Sequence, residues 1–118
     1  MDNTTHKKYI EVQHVDMVFN TKQASFHALS DINLTIAKGE FITLIGHSGC
    51  GKSTLLNMIG CMDLPTSGEV YIDGQPISKL SDKALTNLRL HKIGFIFQSF
   101  NLIPVLDVFQ NVEFPLLL

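Results

Sequence analysis

Residues 46–54 have the sequence Gly46-His47-Ser48-Gly49-Cys50-Gly51-Lys52-Ser53-Thr54. This stretch fits the phosphate-binding pattern G-x-x-x-x-G-K-[ST], in which glycines let successive backbone N–H groups point at phosphate oxygens. In such a loop Lys52 reaches the β- and γ-phosphates, and the Ser53 hydroxyl coordinates Mg²⁺. The helix that follows adds its positive N-terminal end. The stretch therefore predicts binding of a nucleoside triphosphate with Mg²⁺.

The segments beside this loop have the patterns that the motif requires. Residues 41–45 (Phe-Ile-Thr-Leu-Ile) are mostly apolar and predict a buried strand. A helix is predicted from about residue 52 to residue 61, because Pro65 and Gly68 follow and end it. Strand, glycine loop and helix in this order predict an α/β fold built on a P-loop NTPase core.

The composition narrows the class of protein. The chain has 118 residues, of which 45% are hydrophobic and 17% charged, and its net charge is −2. These values favour one small globular domain and argue against nucleic acid as a partner, because phosphate-backbone binding requires clustered Lys and Arg. No apolar run approaches the ~20 residues of a membrane span. Residues 1–8 are polar, so we expect a disordered N-terminus rather than a signal peptide.

The cysteines and histidines form no recognisable metal motif. Cys50 and Cys61 have a spacing that matches neither a zinc pattern nor a disulfide framework, so we expect reduced thiols in a cytosolic protein. None of the five histidines pairs with a carboxylate or cysteine at ligand spacing. His47 occupies a variable position of the loop, where its ring either contacts phosphate or faces solvent.

The rest of the chain alternates short strand and helix patterns. Strands are predicted over residues 9–19, 26–36, 69–72 and 93–97, the first two antiparallel, and Asp73-Gly74 predicts a hairpin. Ser81 is the expected N-cap of a helix over residues 82–91. Residues 98–105 predict a loop, and Asp107 with Gln110 predicts a capping box that opens a short helix.

Several segments together resemble the N-terminal half of an ABC-type ATPase, the nucleotide-binding subunit of a membrane transporter. They are Phe19 and residues 29–36, 39–41, 46–60, 65–74 and 92–98. Residues 98–104 (Gln-Ser-Phe-Asn-Leu-Ile-Pro), followed by Asn-Val-Glu at 111–113, are similar to the lipoprotein-releasing and macrolide-exporter branch. The resemblance implies that residues 9–118 are the N-terminal part of an ATP-binding domain. This part would hold an antiparallel β subdomain and be truncated at the start of the helical subdomain.

The resemblance also implies roles for single residues and for partners. Phe19 matches the aromatic residue that stacks on adenine, although ordinary core packing would also explain it. Lys52 and Gln98 match catalytic positions, since the Gln98 amide contacts Mg²⁺ and the attacking water; without the family, Gln98 would be a simple polar cap. The loop at Gln98 is implied to contact membrane-spanning subunits. The complete protein is implied to be a homodimer on the cytoplasmic face of the cell membrane.

Three motifs of the family are missing from these residues, and one of them is the downstream switch histidine. The signature Leu-Ser-Gly-Gly-Gln has only Leu80-Ser81-Asp82 as a partial match, and Asp73 is followed by Gly74 where the second acidic motif has a catalytic Glu. We therefore expect the chain alone to bind ATP with Mg²⁺ without hydrolysing it. A non-catalytic nucleotide-binding module and an ABC-type ATPase of cell division remain the alternatives. The sequence lacks the motifs of a GTPase and of a Rossmann dehydrogenase.

Overall fold

The computed structural model describes residues 7–47 and 49–117. The described residues form four strands, three α-helices and two short 3₁₀ turns. In chain order these are β1 (Lys8–Asn20), β2 (Ser25–Ala37), α1 (Lys52–Ile59), β3 (Ser67–Ile72), β4 (Gln75–Pro76), a 3₁₀ turn (Ile77–Lys79), α2 (Asp82–Lys92), α3 (Val108–Glu113) and a 3₁₀ turn (Phe114–Leu117).

The four strands form one antiparallel sheet in the order β2-β1-β3-β4. The first two predicted strands and the strand over 69–72 are therefore confirmed, as is the hairpin at Asp73-Gly74 that joins β3 to β4. The sequence predicts disorder through Lys8, but β1 begins at Lys8 because this residue is already in register with Ala37 of β2. The expected disorder of residues 1–6 concerns residues outside those described.

The pairing of β1 and β2 is interrupted at a register shift, where one residue of each strand has a positive φ. His14 and Asp31 both have positive φ, at 49° and 46°, where the register shifts between Val12 and Val15. His14 Nδ1 lies 2.9 Å from Asp31 Oδ1, and the Asn33 amide also donates to this carboxylate. These two hydrogen bonds hold the pKa of Asp31 below its ordinary value. The bulge bends the hairpin and so keeps the apolar residues on both of its sides pointing into the core.

The core lies between one face of the sheet and the two longer helices. Alternate residues of β3 and residues three apart on α1 are buried, as the periods of a strand and a helix require. The buried set consists of Val12, Val15, Met17, Leu29, Leu55, Met58, Cys61, Val70, Ile72, Ile77 and Leu85. Arg89 of α2 donates to the Cys61 carbonyl oxygen over 2.7 Å, which ties α2 to the end of α1.

The predicted helix starts are confirmed in detail. Ser81 is the N-cap of α2, and its hydroxyl accepts a hydrogen bond from the Ala84 backbone N–H over 3.1 Å. Asp107 and Gln110 form the expected reciprocal capping box at the start of α3. The capped helices differ in packing, because α2 buries Leu85 whereas α3 buries none of its residues.

Two strand predictions are wrong in this structure. Residues 41–45 and 93–97 have no regular secondary structure, and Phe41 and Ile45 are 94% and 90% exposed while Ile96 is fully exposed. An extended segment becomes a strand only when a neighbour supplies hydrogen bonds and covers its side chains. Among the described residues, neither segment is paired with any strand of the sheet. The apolar composition of both segments therefore predicted strands that do not form.

Candidate functional site

The phosphate-binding motif forms a compact loop immediately before α1. The Cys50 backbone N–H donates to the His47 carbonyl oxygen over 3.3 Å, which closes a turn inside the loop. The Lys52 ammonium folds back over the loop and donates to the carbonyl oxygens of Gly46 and His47, the latter at 3.0 Å. A cation is thus held directly above the backbone that the motif predicts to surround a phosphate chain. Ser48, which is predicted to contribute to the same loop, lies outside the described residues.

Two glycines allow the backbone of this loop to adopt its shape. Gly49 and Gly51 have φ values of 83° and 98°, in the left-handed region that residues with a Cβ rarely occupy. Gly51 is also tightly packed, since a Cβ there would lie 2.7 Å from the Ala28 carbonyl oxygen and 2.9 Å from Leu29 Cδ2. Gly51 therefore has two structural roles. It turns the chain into α1, and it brings the loop against β2.

The start of α1 favours an anion. Gly51 is its N-cap and provides no side chain to accept from the first N–H groups, and no acidic residue lies in the first turn. The free N–H groups and the positive end of the helix dipole consequently face outward beside Lys52. This electrostatic arrangement suits phosphate oxygens.

A cleft of about 490 Å³ opens beside the loop. It is lined by Phe26, Ala28, Gly49, Cys50, Gly51, Lys52, Ser53, Thr54 and Gln98. None of these residues carries a carboxylate, and Lys52 supplies the positive charge. The cleft therefore combines apolar residues of β2, the positive charge of Lys52 and the polar side chain of Gln98, which comes from a distant part of the chain.

Packing of the segment before Gln98 against α1 brings that residue to the cleft. The ring of Phe95 lies directly over Gly60, where any Cβ would collide with it. Phe95 and Phe97 stack on each other with ring centroids 6.0 Å apart. An adjoining groove of about 630 Å³ is shared by α1 and residues 92–98. Ser53 and Gln98 line both the groove and the cleft, so the two residues border a common space.

Most of the predicted site residues come together in this cleft. Residues 49–54 and Gln98 line it directly, while Gly46 and His47 contribute the carbonyl oxygens that hold Lys52. Phe19 reaches the region through β1, where it lies opposite Phe26 of β2. The sequence reasoning missed Phe26 and Ala28. The register of the hairpin would have pointed to Phe26, because a turn over residues 21–24 places it across from Phe19.

Oxygen donors suitable for Mg²⁺ are present in the cleft. The Ser53 hydroxyl and the Gln98 side-chain amide oxygen are hard ligands of the kind that Mg²⁺ prefers beside substrate phosphates. Within residues 7–47 and 49–117, no cluster of three or more His, Cys, Asp or Glu has the geometry to hold a metal. The donor set therefore fits an ion shared with a phosphate chain rather than one enclosed by protein ligands.

The two cysteines differ in environment. Cys50 is exposed in the loop, and Cys61 is buried after α1 at a positive φ of 62°. Burial raises the pKa of the Cys61 thiol, with the nearby Arg89 charge acting in the opposite direction. Cys61 is thus a protonated core residue, whereas Cys50 faces the cleft.

Comparison with known proteins establishes the family. A family model described as ABC transporter matches residues 29–115, which include the phosphate-binding loop and Gln98. The chain belongs to the ABC transporter family. The resemblance that the sequence suggested is thereby confirmed, together with the fold class.

Individual ABC relatives match over most of this chain. An ABC transporter ATP-binding protein of Methanocaldococcus jannaschii, MJ0796, is 49% identical over 108 residues, covering 92% of this chain and 46% of the relative. The macrolide export ATP-binding/permease protein MacB of Campylobacter fetus is 48% identical over 106 residues, covering 90% of this chain and 16% of the relative. The expected similarity to macrolide exporters is confirmed.

Solved ABC cassettes share the observed fold. The dimeric structure of MJ0796 aligns with a TM-score of 0.82 at 49% identity, covering 92% of this chain and 47% of that one. A dimeric post-hydrolysis state of the same cassette, bound to ADP and Pi, gives the same TM-score at 48% identity. The chain spans about half the length of these cassettes. None of the helices among the described residues is both long and apolar enough to cross a bilayer.

Proposed function

We propose that this chain is the ATP-binding part of an ABC transporter subunit and that it binds ATP with Mg²⁺ in the cleft beside residues 46–54. The observation that carries the proposal is the Lys52 ammonium, which lies over the loop at the carbonyl oxygens of Gly46 and His47. It stands next to the uncapped N-terminus of α1. A triphosphate chain is the ligand that satisfies the cation, the free N–H groups and the left-handed glycines together.

Each predicted residue has a role in this proposal. Lys52 neutralises the β- and γ-phosphates, and the N–H groups of Gly49 and of residues 51–54 donate to phosphate oxygens. Ser53 and Gln98 would hold Mg²⁺, which when bound would help to neutralise the charge of the phosphates. Gln98 also orients the attacking water, and Phe19 stacks on the adenine ring.

We further propose that the whole protein couples ATP hydrolysis to export or lipoprotein release. MJ0796 is described as a dimeric cassette, which supports a homodimer for this subunit. MacB is described as an ATP-binding/permease protein, which supports membrane-spanning partners. The loop at Gln98 is the proposed contact with those partners, on the cytoplasmic face of the membrane. Its neighbours Phe100 and Leu102 are exposed apolar residues, which suits a docking role.

Hydrolysis requires groups that these 118 residues do not contain. Among residues 7–47 and 49–117, no carboxylate lines the cleft to act as a general base, and the sequence holds no match to the signature loop that a partner cassette would receive. Phosphoryl transfer depends on placing water and charge together at the γ-phosphate. We therefore propose that the chain by itself binds ATP and does not turn it over.

Calorimetry on the 118-residue chain tests the binding proposal. Lys52→Ala should weaken binding of ATP with Mg²⁺ by about 10- to 100-fold, because charge-assisted hydrogen bonds contribute about 1.5–3 kcal/mol. Lys83→Ala, which removes an exposed lysine of α2, is the matched control and should leave the affinity unchanged. Absence of ATP binding, or equal affinity in the two variants, would contradict the proposal.

Phosphate release tests the second part. The unmodified chain should release no more phosphate from ATP than Lys52→Ala does under the same conditions. Steady release that Lys52→Ala abolishes would show that the catalytic groups are complete and would overturn this part. Circular dichroism of both proteins checks that the substitution leaves the fold intact.

A further inference from the structure

We propose that Phe26 is a second base-contacting residue of the nucleotide cleft and that it forms one aromatic wall with Phe19. The inference rests on the proposed function and extends it to how the nucleobase is held. Phe26 is the aromatic residue among those that line the cleft, and its side chain is 59% exposed. Nothing in the phosphate-binding motif refers to this residue, which lies on β2, 20 residues before the loop begins.

The strand register places the two phenylalanines directly opposite each other. Phe19 of β1 and Phe26 of β2 are direct partners in the antiparallel ladder. Side chains of directly opposed residues lie on the same face of a sheet, with Cβ atoms about 4.5–5.5 Å apart. Phe19 is also substantially exposed, at 41%. The hairpin therefore presents two exposed aromatic side chains on one face at its end, and Phe26 is the one that lines the cleft.

The distance of this surface from the phosphate loop suits a nucleobase. Gly51 lies against Ala28, and Ala28 and Phe26 are two residues apart on the face of β2 that lines the cleft. Two residues of a strand span about 7 Å. A nucleotide whose phosphates lie at residues 49–52 would thus extend along β2, past Ala28, and place its base beyond the ribose at Phe26 and Phe19.

The turn of the hairpin holds the backbone beside both phenylalanines in place. The Thr21 hydroxyl donates to the Ala24 carbonyl oxygen and accepts from the Ala24 backbone N–H, at 2.9 and 3.0 Å. Ser25 Oγ donates to Asn20 Oδ1 over 2.7 Å between the residues next to the two phenylalanines. A backbone fixed in this way loses little conformational entropy when a base stacks on the rings that it carries.

The chemistry of this wall defines the ligand class. Two phenylalanines offer π-faces and apolar edges but no hydrogen-bond donor or acceptor for the base. Stacking on such a surface tolerates any planar base. The site would therefore take purine nucleoside triphosphates with little discrimination between adenine and guanine, while inorganic triphosphate would bind without using Phe26.

Calorimetry with ATP and with inorganic tripolyphosphate, both with Mg²⁺, tests the proposal on the 118-residue chain. Phe26→Ala should weaken ATP binding about 5- to 30-fold, the range expected for loss of one stacked ring, and leave tripolyphosphate binding unchanged. Phe26→Tyr, which keeps the π-face, should retain ATP affinity within about twofold. Phe109→Ala, at an exposed ring of α3, is the matched control and should change neither affinity.

Lys52→Ala separates this inference from the proposed function, because it should weaken both ligands. If Lys52→Ala has that effect while Phe26→Ala matches Phe109→Ala for ATP, the role of Phe26 is overturned and the proposed function stands. If Phe26→Ala weakens ATP and tripolyphosphate equally, Phe26 supports the loop rather than the base and the inference is also overturned. If the unmodified chain binds neither ligand, both proposals fail.

Discussion

The antiparallel sheet and the exposed apolar segments, defined here as residues 41–45, 93–97 and 102–117, are both rich in apolar residues, but most of their large apolar side chains have opposite surroundings. In the sheet, Val12, Val70 and Ile72 are nearly inaccessible to solvent. In the exposed apolar segments, Phe41, Ile45 and Ile96 have almost no cover. The same residue types thus contribute to a core in one region and remain on the surface in the other.

The difference comes from pairing and not from composition. β1 has a strand on each side, so its backbone groups are satisfied and its alternating residues share one buried face. Residues 41–45 have no paired neighbour among the described residues. The phosphate loop lies at the boundary of the two regions, with Gly51 packed on β2 and residues 41–45 leading into it. Three sets of substitutions would break or sharpen this comparison.

The largest difference in stability should come from replacing Ile by Ala once in the sheet and once in an exposed apolar segment. Ile72→Ala should lower the free energy of unfolding by about 2–5 kcal/mol, because it leaves a cavity in the core. Ile96→Ala should change it by less than about 0.5 kcal/mol, because the side chain is surrounded by solvent. Urea unfolding followed by circular dichroism measures both values. Equal losses in the two variants would mean that the Ile96 side chain is packed in solution, and the comparison would be wrong.

Glycine substitutions should give the next largest contrast. Gly68 and Gly74 have similar φ values of 81° and 82°, so Ala at either costs about 1–2 kcal/mol of stability. A Cβ at Gly68 would also collide with the His14 backbone, which adds about 1–3 kcal/mol, whereas Gly74 has open space. Gly94, in an exposed apolar segment, has open space and no positive φ, so Gly94→Ala should be nearly neutral.

Thermal melts of the three glycine variants would rank these effects. The expected order of melting temperatures is Gly94→Ala highest, Gly74→Ala intermediate and Gly68→Ala lowest. A result in which Gly68→Ala and Gly74→Ala melt together would show that the close contact between β1 and β3 at Gly68 relaxes without cost.

The smallest contrast concerns the helix caps. Ser81→Ala should cost about 1 kcal/mol of global stability, because α2 buries Leu85 and its loss exposes part of the core. Asp107→Ala removes a cap of equal quality from α3, which buries nothing, so only local fraying should result. Hydrogen exchange should then show faster exchange at the Gln110 amide with an unchanged unfolding midpoint. A lower midpoint for Asp107→Ala would reveal packing of α3.

Local patterns predicted much of the fold correctly. The alternation in 9–19 and 26–36, the turn at Asp73-Gly74 and the caps at Ser81 and Asp107 all involve residues close in the chain. They were predictable because propensity, turn geometry and capping act over a few residues. The strands over 41–45 and 93–97 were wrongly predicted for the opposite reason. A strand forms only when another segment pairs with it, and the residues of the strand itself do not show which distant segment will do so.

The sequence by itself determined the phosphate-binding loop, since the spacing of Gly46, Gly51 and Lys52 specifies a backbone shape and a cation, and it also indicated the family. Only the tertiary structure decided what surrounds that loop. It brought Phe26 and Ala28 of β2, together with Gln98, to the cleft beside the loop, across separations of 18 residues or more. The physical reason is that a motif encodes local conformation, whereas a cleft is formed by contacts between distant elements whose register and packing are settled together.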